Sequence, residues 1–176
     1  MQRQQCQAWR PFVILLSGAC APLVLPAPSW AQQAVIIVRH AEQTPTGGMM
    51  DGDPPLNEHG AKRAQALPER LRQAGIKAVY SSQYARSRET AEPLIQATSA
   101  RTYVVPKDDM AALTAHIREH HANDVVAVVG HSDTIPAMLK AWGHPEPVEI
   151  GRAEFDGLWL VVPRQGAAPV VTRLRI

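Results

Sequence analysis

The stretch Ala34-Val35-Ile36-Ile37-Val38-Arg39-His40-Ala41-Glu42 decides how the rest of the chain is read. Its five leading residues are apolar and mostly β-branched, with no polar alternation. A strand made from them needs cover on both faces. This predicts a central strand of a parallel sheet that delivers Arg39 and His40 at its carboxyl end. A second run of the same kind, Asp124 to Val129, leads into Gly130-His131-Ser132-Asp133-Thr134. Two buried strands, each ending in a histidine, set the frame.

Working outward, the loop over residues 43–55 is rich in Gly, Pro and Asp. Asn57 is placed to cap a helix running to about Gln73, kinked at Pro68 and stopped by Gly75. Lys77 to Ser81 reads as a strand, Tyr84 to Ala97 as a helix bent by Pro93, and Thr102 to Val105 as a shorter strand. From Asp108 to His121, Met110, Leu113 and Ile117 recur at helical spacing and form one buried stripe. A helix from Ile135 to Trp142 follows, and Leu158 to Val162 with Val170 to Arg175 suits a closing hairpin. Alternating strands and helices predict an α/β fold, a three-layer sandwich with a mostly parallel central sheet.

The chain has 176 residues, 45% of them hydrophobic, enough for one core and too few for two full domains. Its 18 Lys and Arg face 16 Asp and Glu, but Arg3 and Arg10 precede residue 32 and no acidic residue does. Residues 32–176 therefore carry no net charge, which excludes the basic footprint of a nucleic-acid binder. Cys6 and Cys20 also precede residue 32, so the domain has no thiol for a disulfide, a nucleophile or a metal.

Residues 1–31 read as a signal peptide. Arg3 and Arg10 form the positive region, Phe12 to Leu25 the apolar run, and Pro26 to Ala31 a small-residue site with cleavage after Ala31. The apolar run, interrupted by Pro22, is shorter than the roughly 20 residues that span a bilayer. Leu16-Ser17-Gly18-Ala19-Cys20 faintly resembles a lipoprotein box, which would anchor the domain at Cys20. The expectation is a cleaved, periplasmic or secreted domain over residues 32–176, without stable membrane insertion.

Ligands of open α/β sheets bind at the carboxyl ends of the strands. That rule collects Arg39 and His40 after the first strand, Ser81, Ser82 and Arg86 after the second, and His131 after the Asp124 strand. Arginine forks match phosphate oxygens two at a time, and helix N-termini add backbone donors. The predicted ligand is a phosphate on a small molecule.

In their order along the chain, Val38-Arg39-His40-Ala41-Glu42, Ser81-Ser82 with Arg86 and Thr90-Ala91, and Val129-Gly130-His131-Ser132 resemble the histidine phosphatase superfamily, whose fold is phosphoglycerate mutase-like. Asp53-Pro54-Pro55-Leu56-Asn57 with Gly60, and Glu154-Phe155-Asp156, extend the resemblance across residues 34–162. It implies that His40 is the nucleophile forming a phosphohistidine, with Arg39, Arg86 and His131 binding the phosphate, and that no metal or other cofactor is required. A neutral imidazole among cations fits that role on physical grounds as well. Gln83-Tyr84, Ser87 and Asp133 depart from the usual pattern, which has Ala at the position of Ser87. The family usually places an acidic proton donor beyond the second strand, which points to Asp109, with Asp108 and Asp133 as alternatives.

Only forty residues separate Thr90 from His131, with no visible lid, so a phosphatase is expected over a phosphoglycerate mutase-type phosphotransferase. The compact size also resembles protein-phosphohistidine phosphatases, which act in the cytosol, and the leader argues against that substrate. Thr134 stands where a nucleophile elbow at Ser132 needs glycine. A rival of another class, a periplasmic metal-binding module, rests on His116 and His120 at helical i, i+4 spacing near His121 and Asp124.

Overall fold

A computed structural model describes residues 34–45 and 52–176, and the leader lies outside them. The elements are β1 (Ala34–Arg39), α1 (Glu58–Leu71), β2 (Ile76–Ser82), α2 (Ala85–Thr98), β3 (Arg101–Val105), α3 (Leu113–His120), β4 (Val125–Gly130), α4 (Thr134–Trp142), β5 (Gly157–Arg164) and β6 (Ala167–Arg175). A short 3-10 turn, Lys107–Asp109, precedes α3. The strands form one mixed sheet in the order β3-β2-β4-β1-β5-β6. The pairings from β3 through β1 are parallel, and β5 and β6 add an antiparallel edge.

The apolar strands are covered on both faces. Val35, Ile37, Val126 and Val128 point into one core layer with Met110, Leu113, Ile117, Ile135, Leu139 and Trp142 of the α3 and α4 side. Their neighbours Ile36, Val38, Ala127 and Val129 point the other way, against Ala91 and Leu94 of α2. Period-2 alternation thus feeds two cores instead of one core and solvent. Each fully buried Val or Ile contributes about 1.5–3 kcal/mol, so β1 and β4 anchor the sheet whose carboxyl ends carry the two histidines.

The expected helix from Asp108 is corrected. Residues 107–109 wind as a 3-10 turn, and α3 begins only at Leu113, after Ala112, with no side-chain cap. Met110, Leu113 and Ile117 are buried as their spacing predicts, so the stripe holds while the helix does not reach back to Asp108. Packing of Met110 fixes the segment, and neither Asp108 nor Asp109 supplies a side-chain cap bond. The helix α1 runs unbroken through Pro68 to Leu71 and ends two residues before the expected Gln73.

Gly60 explains how α1 meets the segment that follows β1. A Cβ there would lie 2.1 Å from the Glu42 carbonyl oxygen, so only glycine permits the approach. Asn57 stitches the same junction: its side chain accepts from the Gly60 N–H at 2.9 Å, its backbone N–H donates to Glu42, and its amide donates to Gln43. Glu42 binds Arg63 of α1 through both carboxylate oxygens, at 2.7–3.2 Å.

Candidate active site

The parallel order brings the carboxyl ends of β1, β2 and β4 side by side, with β4 between the other two. His40 N–H donates to the Gly130 carbonyl at 2.9 Å and continues the β1–β4 ladder one step past the strand. The His40 and His131 rings consequently lie 5.0 Å apart, centroid to centroid. Both are buried, at 6% and 3% exposure. His40 Nδ1–H donates to the Ala41 carbonyl at 2.8 Å. That bond fixes the tautomer and leaves Nε2 with a lone pair, the arrangement a nucleophile needs.

Burial holds both rings neutral, and nearby cations reinforce it. The pKa of His40 is pushed down to about 4, first by burial and then by the charges of Arg86 and Arg39, against a bond to Ala41 that acts the other way. His131 goes down to about 3, again through burial first, with His40, Arg86 and Lys107 adding to it. A neutral imidazole can attack phosphorus, whereas an imidazolium cannot.

Each arginine lies over an aromatic ring, with backbone carbonyls holding Arg39 and a carboxylate holding Arg86. Arg39 Nη1 donates to the carbonyls of Gly151, Arg152 and Glu154 at 2.8–3.1 Å, and its guanidinium lies 4.1 Å over the Phe155 ring. Arg86 lies 4.3 Å over the Tyr84 ring and pairs with Asp53 at 3.8 Å. Asp53 also accepts from Ala85 N–H with both oxygens, at 2.7 and 2.8 Å, and so caps α2 from a distant loop. Thr90 closes the link by accepting from Ala41 N–H and donating to the Arg86 carbonyl. Arg39 Nε and Arg86 Nε are buried without a hydrogen-bond partner among the described residues. Two orphan donors beside two neutral histidines are costly unless an anion satisfies them.

Of the residues singled out from sequence, His40, His131, Arg39 and Arg86 converge here. Asp109 does not join them: it lines a depression with Tyr80, Thr102, Tyr103 and His116. Asp133 stands at the rim, where its charge acts on His40, His131 and Arg39. It occupies the N-cap position of α4 without capping it and binds Lys107 Nζ at 2.5 Å instead. Burial pushes its carboxyl up, but the Lys107 hydrogen bond and charge outweigh this and hold it below the usual carboxylate range.

Asp53, Tyr84, Ser87, Thr90 and Phe155 complete the site, and sequence reasoning did not assign them roles. The histidines proposed for a metal do not assemble one. His116 and His120 rings approach to 4.4 Å, but His121 turns inward, with Nε2 bonded to Tyr80 Oη and Nδ1 to Asp124, each at 2.9 Å. Among the described residues, no three His, Cys, Asp or Glu side chains form a metal-binding group.

Comparison with known proteins fits this geometry. Residues 35–111 match the family model of the histidine phosphatase superfamily, branch 1. No curated protein sequence is similar enough to match. Among solved structures, a protein assigned as the phosphohistidine phosphatase SixA of Agrobacterium tumefaciens shares 22% identity at a TM-score of 0.61, covering 81% of this chain and 98% of its own. The protein histidine phosphatase SixA complexed with tungstate shares 16% at a TM-score of 0.66, covering 81% and 96%. Phosphoserine phosphatase of Entamoeba histolytica shares 16% at 0.62, covering 80% and 95%. The fold of the described domain is phosphoglycerate mutase-like, and the sequence match over residues 35–111 is to the histidine phosphatase superfamily.

Proposed function

We propose that residues 32–176 are a phosphatase that hydrolyses a phosphate monoester through a phosphohistidine on His40. The observation that carries the reading is the pair of neutral histidines 5.0 Å apart beside two guanidiniums whose buried Nε groups lack partners among the described residues. His40 Nε2 attacks phosphorus, the P–O bond to the leaving group breaks, and Arg39, Arg86 and His131 hold the charge on the remaining oxygens. Water then cleaves the P–N bond and releases phosphate. These cationic and hydrogen-bonding groups supply the charge stabilisation, so the activity is proposed to be metal-independent. The solved structures of similar fold include phosphatases for phosphohistidine and phosphoserine, which supports the reaction class and leaves the substrate to assay.

The leaving group's proton is proposed to come from Asp133, the alternative to Asp109, because Asp133 faces the histidines. Lys107 holds it ionised, and a phosphate dianion competing for Lys107 would raise its pKa. We further infer export from residues 1–31, which predicts a mature N-terminus near Gln32 by mass spectrometry.

The experiment is turnover of p-nitrophenyl phosphate and an alkyl phosphate by residues 32–176 in EDTA. His40→Ala is expected to lose activity by about a thousandfold or more on both. Asp133→Asn is expected to lose much more on the alkyl ester, whose leaving group needs a proton, while Asp109→Asn falls little on either. Retained turnover in His40→Ala, or strict metal dependence, overturns the mechanism.

A further inference from the structure

The segment leading into β5 carries a carboxylate that the mechanism above does not use. Residues 151–154 form a turn whose carbonyls at Gly151, Arg152 and Glu154 all accept from one nitrogen, Arg39 Nη1, at 2.8–3.1 Å. Carbonyl oxygens turned toward one point repel each other, so the turn needs closing bonds of its own. Two bonds supply them: Glu154 N–H donates to the Gly151 carbonyl at 3.0 Å, and the Glu154 carboxylate reaches back to accept from Gly151 N–H at 3.3 Å. Its other oxygen accepts from Arg173 Nη2 of β6, and the Arg173 guanidinium lies 5.2 Å from the ring of buried Trp159 on β5. Contacts therefore run without a break from the sheet through Arg173 and Glu154 to the turn and Arg39.

We propose that Glu154 is a positioning residue that fixes the guanidinium of Arg39 by closing the carbonyl turn around Nη1. The consequence is directional. With Nη1 taken by three carbonyls, the donors left on Arg39 are Nε–H and Nη2, which have no hydrogen-bond partner among the described residues. Nε–H and one Nη2–H point the same way and form the side-on fork of the guanidinium, which matches two oxygens of a phosphate. The Phe155 ring, 4.1 Å away, confines the guanidinium from one side, and the carbonyls select which edge is left for the anion. Without the Glu154 carboxylate the turn opens, the carbonyls no longer converge, and the fork loses its fixed direction. A neighbouring pair, Arg175 with Asp156 at 2.8 Å, ties the same segment to β6 two residues further on. It forms no hydrogen bond with residues 151–154 among the described residues, so it serves as a control for simple loosening of the segment.

This inference rests on the phosphate reading only for its ligand, and the test separates the two. Arginine side-chain 15N NMR of the ligand-free protein, with the Arg39 signals identified by their loss in Arg39→Lys, is expected to show two separate Nη signals, because a held guanidinium does not rotate about its Nε–Cζ bond. Glu154→Ala is expected to merge them, Glu154→Gln, which keeps an acceptor for Gly151 N–H, to restore them, and Arg175→Ala to leave them separate. Calorimetry with tungstate is expected to give a Kd about tenfold higher in Glu154→Ala than in the parent, but less than about twofold higher when both proteins also carry Arg39→Lys. A merely structural role costs the same in both backgrounds. A Glu154→Ala spectrum like the parent's, merged signals in Arg175→Ala, or equal tungstate losses in the two backgrounds overturns the proposal. If tungstate binds none of these proteins, the phosphate reading falls while the spectra still decide the role of Glu154.

Discussion

Two histidine groups lie on this fold, and they differ in how their polar atoms are satisfied. His121 has both ring nitrogens bonded inside the protein, to Tyr80 and Asp124, and Tyr103 stacks on Tyr80 at 4.6 Å. Around His40 and His131 the opposite holds: His40 Nε2, Arg39 Nε and Arg86 Nε are left without partners among the described residues. A closed network contributes to stability, whereas an open one costs stability and is retained where a ligand completes it. The difference separates a structural histidine from a functional one better than burial does, since His121 at 5% exposure is as buried as His40.

Exchanging the two positions gives the largest effect by which to break this contrast. His131→Ala is expected to lower kcat about a hundredfold or more, because it removes a group on the transferring phosphoryl, while the melting temperature falls less than in His121→Ala. His121→Ala is expected to leave Tyr80 Oη buried and unpaired, lowering stability by about 1–3 kcal/mol while the folded fraction turns over normally. Steady-state kinetics and thermal melts of the two proteins check this. Equal losses of activity, or a stability loss confined to His131→Ala, would end the distinction.

Asp53 tests the open side more gently. It caps α2 and pairs with Arg86 across a loop, so Asp53→Ala frees the arginine without touching the phosphate directly. A rise in KM of about tenfold is expected, with kcat little changed and stability lower by about 1 kcal/mol for the lost cap. Asp53→Asn, which keeps one acceptor for the cap, is expected to recover most of the stability but not the KM.

How much of this was legible beforehand follows the range of the interactions. The apolar runs at β1 and β4 carry their own evidence, and with them come the sheet and the place of His40 and His131. Asn57 reads correctly as a helix start because a cap acts within three residues. Asp53 did not read as a cap, since it serves a helix more than thirty residues away and looks locally like a turn residue. Asp109 was chosen by its place in the chain, and the 3-10 turn at residues 107–109 sends it to the Tyr80 side. Tyr84 and Phe155 are ordinary aromatics until the fold lays an arginine over each.

The smallest effect is on stability, through pH. In the native protein His40 and His131 titrate near 4 and 3, against an ordinary imidazole value of 6.5. Below 6.5 the unfolded chain therefore binds protons that the fold refuses, and stability falls as pH falls. Above 6.5 both states leave these rings neutral and their contribution is fully present; it is lost progressively as pH drops toward 4 and then 3. Carboxylates with lowered values, such as Glu42 paired with Arg63 and Asp133 paired with Lys107, weaken the fold in the same direction. Their losses begin only near the ordinary carboxylate range of about 4, so the interval between about 4.5 and 6.5 reports mainly on histidines. The ligand-free protein is expected to lose several degrees of melting temperature across that interval, and a His40→Asn, His131→Asn double variant to lose distinctly less. An unchanged slope in the double variant would mean that the open pair is not what the fold holds neutral.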